Sequence, residues 1–118
     1  MADKVVHFEV VGKDGPKLMQ FYGRLFGWTV NADNPMNYGM VDAEESGIGG
    51  GISSSQEGSD GHLTFYVGVD DLQATLDKAE SLGGKTVMPP TEIPNVVTFA
   101  LLNDPEGHLV GLVKSNGS

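Results

Sequence analysis

Apolar and polar residues alternate along "VVHFEVV" (5–11) and, more cleanly, along "HLTFYVGV" (62–69), the period-two pattern of a strand with one packed face. In the second run Leu63, Phe65, Val67 and Val69 share the face expected to pack beneath a helix, and His62, Thr64, Tyr66 and Gly68 share the other. After each run the period lengthens. Leu18, Met19, Tyr22 and Leu25 recur at helical spacing, as do Leu72, Leu76, Ala79 and Leu82, which predicts two amphipathic helices with their stripes turned to a core. Asp14, followed by Gly-Pro, and Asp70 or Asp71 offer carboxylates to cap the first turns, and Gly27 and Gly83–Gly84 end the helices. Shorter strands are expected at about 28–33, 37–43 and 48–54, and again at 85–88, 96–102 and 108–114. The Pro-rich "MPPTEIPN" (88–95) and the acidic "DAEES" (42–46) read as loops.

The two halves of this pattern overlay. Residues 7–30 lie on 64–87 at a constant offset of 57 without a gap, and seven of the 24 pairs are identical: Phe8/Phe65, Val10/Val67, Asp14/Asp71, Leu25/Leu82, Gly27/Gly84, Thr29/Thr86 and Val30/Val87. Random pairing at average composition gives about one or two. A second overlay, at offset 60, sets "GIGGGISSS" (47–55) on "GHLVGLVKS" (107–115), pairing Gly47 with Gly107, Gly51 with Gly111 and Ser55 with Ser115. The chain reads as a duplicated βαβββ module. One domain covers residues 1–118, with module 1 at about 4–55, module 2 at about 61–116, and the polar "SSSQEGSDG" (53–61) joining them.

Composition narrows the partners. Sixteen acidic against seven basic residues give a formal net charge of −9, which opposes nucleic acid and anionic membranes. The absence of cysteine excludes disulfides, thiolate catalysis and Cys-ligated zinc. "MADKVVH" has no apolar leader and no run reaches the length of a membrane span, so a cytoplasmic protein is expected. Seventeen glycines in 118 residues, about twice the usual share of roughly 7 per cent, point to tight turns or close backbone approaches. One of them needs a reason of its own: Gly111 sits inside the strand-like "LVGLV" (109–113), where glycine costs entropy and packs nothing.

The doubled βαβββ unit, "HFEV" in the first strand, "FYGRLFGW" at the end of the first helix and "DPEGHLVGL" before the last strand resemble the vicinal oxygen chelate superfamily of glyoxalase, bleomycin-resistance and extradiol dioxygenase proteins. The likeness covers nearly the whole chain. It implies an α+β fold in which the two modules curl a mixed sheet into a cup, with a helix on the outer side of each module, a small organic ligand inside the cup, and commonly a homodimer. It also implies a divalent metal held by a His or Gln on each module's first strand and a Glu on each last strand. Carried onto this chain, those positions are His7, Thr64, Gly51 and Gly111. Only one is a ligand type, and a lone imidazole does not hold a transition metal against water. Gly111 therefore looks like a carboxylate position reduced to backbone, and Gly51 repeats it; no resident cofactor is expected.

Without a metal, His7, Glu9, His62, Thr64 and Tyr66 form a polar cluster on the cup side, with Gly51 and Gly111 letting a ligand lie against the strand backbone. His7 and Glu9 are the candidates for acid–base chemistry; His62, Thr64, Tyr66, Gly51 and Gly111 are the candidate ligand contacts. His7 and Glu9 pairing with each other, or with backbone, is the competing structural role. His108 and Glu106 read as turn residues and Trp28 as core or dimer contact. Three functions stay open: a protein that holds a small organic ligand on a degenerate metal site, a glyoxalase-like lyase, isomerase or dioxygenase using a shifted His7/Glu9/His62 metal set, and a dimeric scaffold with an occluded cup.

Overall fold

The computed structural model describes residues 2–115, which divide into two compact units, residues 7–64 and residues 2–6 with 65–115. The fold is α+β. In the first unit the chain runs through β1 (Lys4–Gly12), α1 (Gly15–Phe26), β2 (Val30–Asn31), β3 (Gly39–Val41), α2 (Ala43–Ser46) and β4 (Gly50–Ser54). β4 pairs in parallel with β1 and antiparallel with β3, which pairs antiparallel with β2. Its core is Val10, Val41 and Ile52, covered by Leu18, Met19 and Tyr22 of α1 with Phe8, Trp28 and Val30.

The second unit repeats this connectivity apart from α2. β5 (His62–Val69), α3 (Leu72–Ser81), β6 (Lys85–Ile93), β7 (Val97–Asn103) and β8 (Leu109–Lys114) follow in order, with β8 parallel to β5, antiparallel to β7, and β7 antiparallel to β6. Val69, Leu72, Leu76, Ala100, Leu102 and Leu112 form the core, with Val67, Ala79 and Val110 packed on it. Register ties the two overlays together. Glu9 pairs with Gly51 on β1 and β4, and Tyr66 pairs with Gly111 on β5 and β8, so both offsets describe one equivalent pair of strands.

Local chemistry accounts for the helix ends. The Asp14 carboxylate accepts from the Lys17 N–H and that of Asp71 from the Ala74 N–H, and Gly27 ends α1 at φ 78°, a left-handed backbone that costs glycine nothing. Trp28 lies among the rings of Phe8, Tyr22 and Phe26 at centroid distances of 5.5, 6.3 and 5.1 Å, a packing role. No helix among the described residues is long and apolar enough to cross a membrane.

Several expectations need correction. The run 88–95 is not a loop through most of its length: β6 continues to Ile93, with register irregularities between Thr86 and Met88 and between Met88 and Thr91 that take up Pro89 and Pro90, as bulges allow. "DAEES" forms the short helix α2, capped by Asp42. Leu25 and Leu82, the last members of the two helical stripes, are exposed. On β5 only Val67 and Val69 of the predicted apolar face join the α3 core, while Leu63 is exposed and Phe65 is 43% exposed. The division also assigns residues 4–6 of β1 to the second unit, where Val6 stands 3.5 Å from the position of a Cβ on Gly68.

Leu76, 1% exposed at the centre of its cluster, should therefore carry stability that Phe65 does not. Leu76→Ala is expected to cost about 2–5 kcal/mol in urea unfolding, and Phe65→Ala clearly less. Equal losses would show that the α3 core is not the main packing of its unit.

Candidate functional site

Four polar side chains of the first unit meet in one hydrogen-bonded chain. β1 turns Phe8 and Val10 to the α1 core, so its pleat turns His7 and Glu9 to the opposite face. His7 Nε2 lies 2.8 Å from Tyr38 Oη, and Tyr38 Oη donates to Glu9 Oε2 at 2.8 Å. The other carboxylate oxygen, Glu9 Oε1, takes His62 Nε2 at 2.7 Å. His7 and Glu9 are thus joined through a phenol rather than directly. The His7 and Tyr38 rings stack at 14° with centroids 6.2 Å apart.

Tyr38 was not legible as a site residue: the strand expected at about 37–43 includes it, but β3 begins only at Gly39, and nothing in its spacing marked it. Asn34 holds it there. The Asn34 amide donates to the Tyr38 carbonyl at 2.7 Å and accepts the Tyr38 N–H at 2.9 Å, while the same Oδ1 takes the Met36 N–H at 3.2 Å. Asparagine two to four residues ahead of a turn does this because its side chain mimics a backbone amide.

The glycines answer to these rings. A Cβ on Gly51 would fall inside the Tyr38 ring, and a Cβ on Gly111 would collide with the ring of Tyr66. The space expected to open for a ligand at the two strand glycines is filled by tyrosine instead. In the second unit the ring comes from the paired position on β5; in the first, β1 carries Glu9 at that position and Tyr38 covers the glycine from the other side. Thr64 and Tyr66 are each 7% exposed.

Burial governs the electrostatics. The Glu9 side chain is 14% exposed and that of His62 29%, so the carboxylate depends on its donors in place of water. Burial pushes the His7 imidazole below its usual value, with the Glu9 charge pulling weakly the other way; His7 is neutral near pH 7. His108 and Glu106 lie in the turn at Asp104, whose carboxylate accepts the N–H groups of both. Those bonds, His108 first, hold the Asp104 carboxyl below its usual value.

The metal positions implied by the resemblance do not form a donor set. His7 is the one ligand type, its Nε2 is engaged by Tyr38, and aromatic rings stand where carboxylates on residues 51 and 111 would have to stand. The shifted set fares no better, because the Tyr38 hydroxyl lies between His7 and Glu9. Among the described residues no three His, Asp or Glu side chains are grouped to hold an ion.

A mixed-sheet α+β protein built of two like-connected βαβββ units, with a His–Tyr–Glu–His chain on one sheet face, is the class that the architecture defines. The chain belongs to the Glyoxalase/Bleomycin resistance protein/Dioxygenase superfamily, whose profile matches residues 4–112. It is 33% identical over 105 residues to CFP32 of Mycobacterium tuberculosis, a protein named as a glyoxylase; the match takes in 86% of this chain and 40% of that protein's length. A glyoxylase-like domain-containing protein of Didymella fabae is 29% identical over 111 residues, covering 85% of this chain and 84% of that protein. Among solved structures, hypothetical protein BH1468 of Bacillus halodurans has a TM-score of 0.71 at 14% identity, covering 100% and 98% of the two chains. Methylmalonyl-CoA epimerase of Streptomyces coelicolor has 0.65 at 18%, covering 99% and 97%. Both share the fold.

Two measurements test this geometry. Gly51→Ala should displace the Tyr38 ring and cost on the order of 1–3 kcal/mol, read by urea unfolding with Tyr38 ring resonances as the local probe; an unshifted ring would refute the close packing. Because the folded His7 binds its proton more weakly than the unfolded one, the unfolded state takes up that proton first as pH falls below about 6.5, and stability declines toward acid. His7→Gln should therefore lose less stability than wild type between about pH 7.5 and about pH 5.5. Parallel curves would show that His7 is not desolvated.

Proposed function

We propose that this superfamily member holds a small oxygenated organic compound against the His7–Tyr38–Glu9–His62 chain, on a metal site that has degenerated. The observation that carries the reading is the Tyr38 ring over Gly51, which puts a phenol hydroxyl where a metal carboxylate would stand and leaves proton donors and acceptors as the chemistry on that face. His7, neutral near pH 7, suits proton acceptance, and Glu9 supplies the negative charge that steadies a protonated partner. His62 and Thr64 serve as ligand contacts in this unit. In the other unit the Tyr66 ring, which covers Gly111 from the position equivalent to Glu9, takes the contact role in place of the glycine backbone. The glyoxylase names of the mycobacterial and fungal relatives support a small oxygenated compound, and the net charge of −9 favours a neutral or cationic one. The protein is taken to act as a cytoplasmic homodimer.

A second reading, a metal-dependent lyase, isomerase or dioxygenase using His7, Glu9 and His62, draws support from the linkage of all three in one chain. Thermal shift separates the two. Wild-type protein is screened against small 2-oxoaldehydes, hydroxy acids and flat aromatic cations, with and without EDTA. Stabilisation that survives EDTA and disappears in His7→Ala is the expected result. Stabilisation that requires added Zn²⁺, Mn²⁺ or Fe²⁺ would favour the metal reading, and none with any compound would overturn ligand binding.

A further inference from the structure

The hydrogen bonds around Tyr38 run in one direction only. A phenol has a single proton, and an ionised carboxylate only accepts. With Glu9 Oε2 at 2.8 Å from Tyr38 Oη, the phenol proton goes to the carboxylate, a charge-assisted bond stronger than the one to a neutral imidazole. Toward His7 the same oxygen is then an acceptor. His7 Nε2, 2.8 Å away, must carry hydrogen to meet it. His62 Nε2, 2.7 Å from Glu9 Oε1, must carry one for the same reason. Glu9 therefore orders both imidazoles, one directly and one through a phenol.

We propose that Tyr38 is a positioning residue that fixes His7 as its Nε2–H tautomer, placing the basic lone pair on Nδ1, and that Glu9 orients the His7 ring through Tyr38. Fixing the far nitrogen by a hydrogen bond is how a protein selects which imidazole nitrogen is the base. The ring is suited to this because it is held at both ends. Gly51 lies under it with no room for a Cβ, and Asn34 clamps its backbone from both sides. The hydroxyl thus has little freedom to leave the line between His7 and Glu9. On this view His7 is the group that touches the ligand's proton, whereas Glu9 and Tyr38 set its direction. The assignment rests on the ligand-binding reading for its purpose, but its geometry holds in the ligand-free protein.

The test is ring ¹⁵N–¹H correlation spectroscopy of the ligand-free protein near neutral pH, comparing wild type with Tyr38→Phe and Asn34→Ala. Tyr38→Phe keeps the ring over Gly51 and deletes only the hydroxyl. Wild type should show His7 as a single Nε2–H tautomer with a slowly exchanging ring proton. In Tyr38→Phe the His7 nitrogen shifts should move toward tautomer-averaged values and the proton should exchange faster, while His62, still bonded to Glu9, keeps its signature. Asn34→Ala should give a partial form of the same change. A wild-type His7 protonated on Nδ1, or shifts and exchange unaltered by Tyr38→Phe, would overturn the proposal. Because no ligand enters this experiment, its failure is separable from a failed ligand screen: a fixed tautomer with no ligand found would sink the functional reading alone.

Discussion

An aromatic ring can lie directly against a strand's backbone only where the residue beneath it has no side chain. That constraint places the Tyr38 ring over Gly51 and the Tyr66 ring over Gly111. Glycine inside a strand sacrifices packing and entropy, and here the ring restores the lost apolar contact. The cost at Gly111 is thus offset locally. At Gly51 the same packing has a chemical consequence, because the ring that covers it carries its hydroxyl into the space between His7 and Glu9.

From that hydroxyl the rest of the polar chain follows. A carboxylate as enclosed as Glu9 must be surrounded by donors, and Tyr38 and His62 are two of them. Glu9 accepts from both, and desolvation keeps His7 neutral near pH 7. The face so formed carries protonatable groups, and the Gly51 and Gly111 positions are backbone under aromatic rings.

The two units show how one register supports different surfaces. Glu9 with Gly51 and Tyr66 with Gly111 are equivalent pairs, yet only Tyr66 covers its own paired glycine. Glu9 projects a charge from that position, so the glycine in the first unit is covered from β3's side by a residue outside the regular strands. A like arrangement of elements has therefore produced an aromatic cover from the paired strand in one unit and a hydrogen-bonded chain in the other.

Alternation, helical spacing and capping carboxylates placed β1, α1, β5 and α3, because these signals are local: strand pleat, helical turn and the orphan N–H groups of a helix start all act over a few residues. The repeat offsets mark Gly51 and Gly111 as equivalent, in line with their register, and strand parity alone groups His7 with Glu9 on one face of β1. What covers the glycines was not legible. Tyr38 comes from an irregular segment shaped by Asn34, and its partners lie 29 and 31 residues away in sequence, beyond the reach of any periodicity. The same holds for Phe65, expected on the packed face but 43% exposed, while Val67 and Val69 of the same strand join the α3 core. Local sequence determined which face each residue takes; only the packed structure decided what stands opposite it, because burial and hydrogen bonding are properties of neighbours that the chain brings together from a distance.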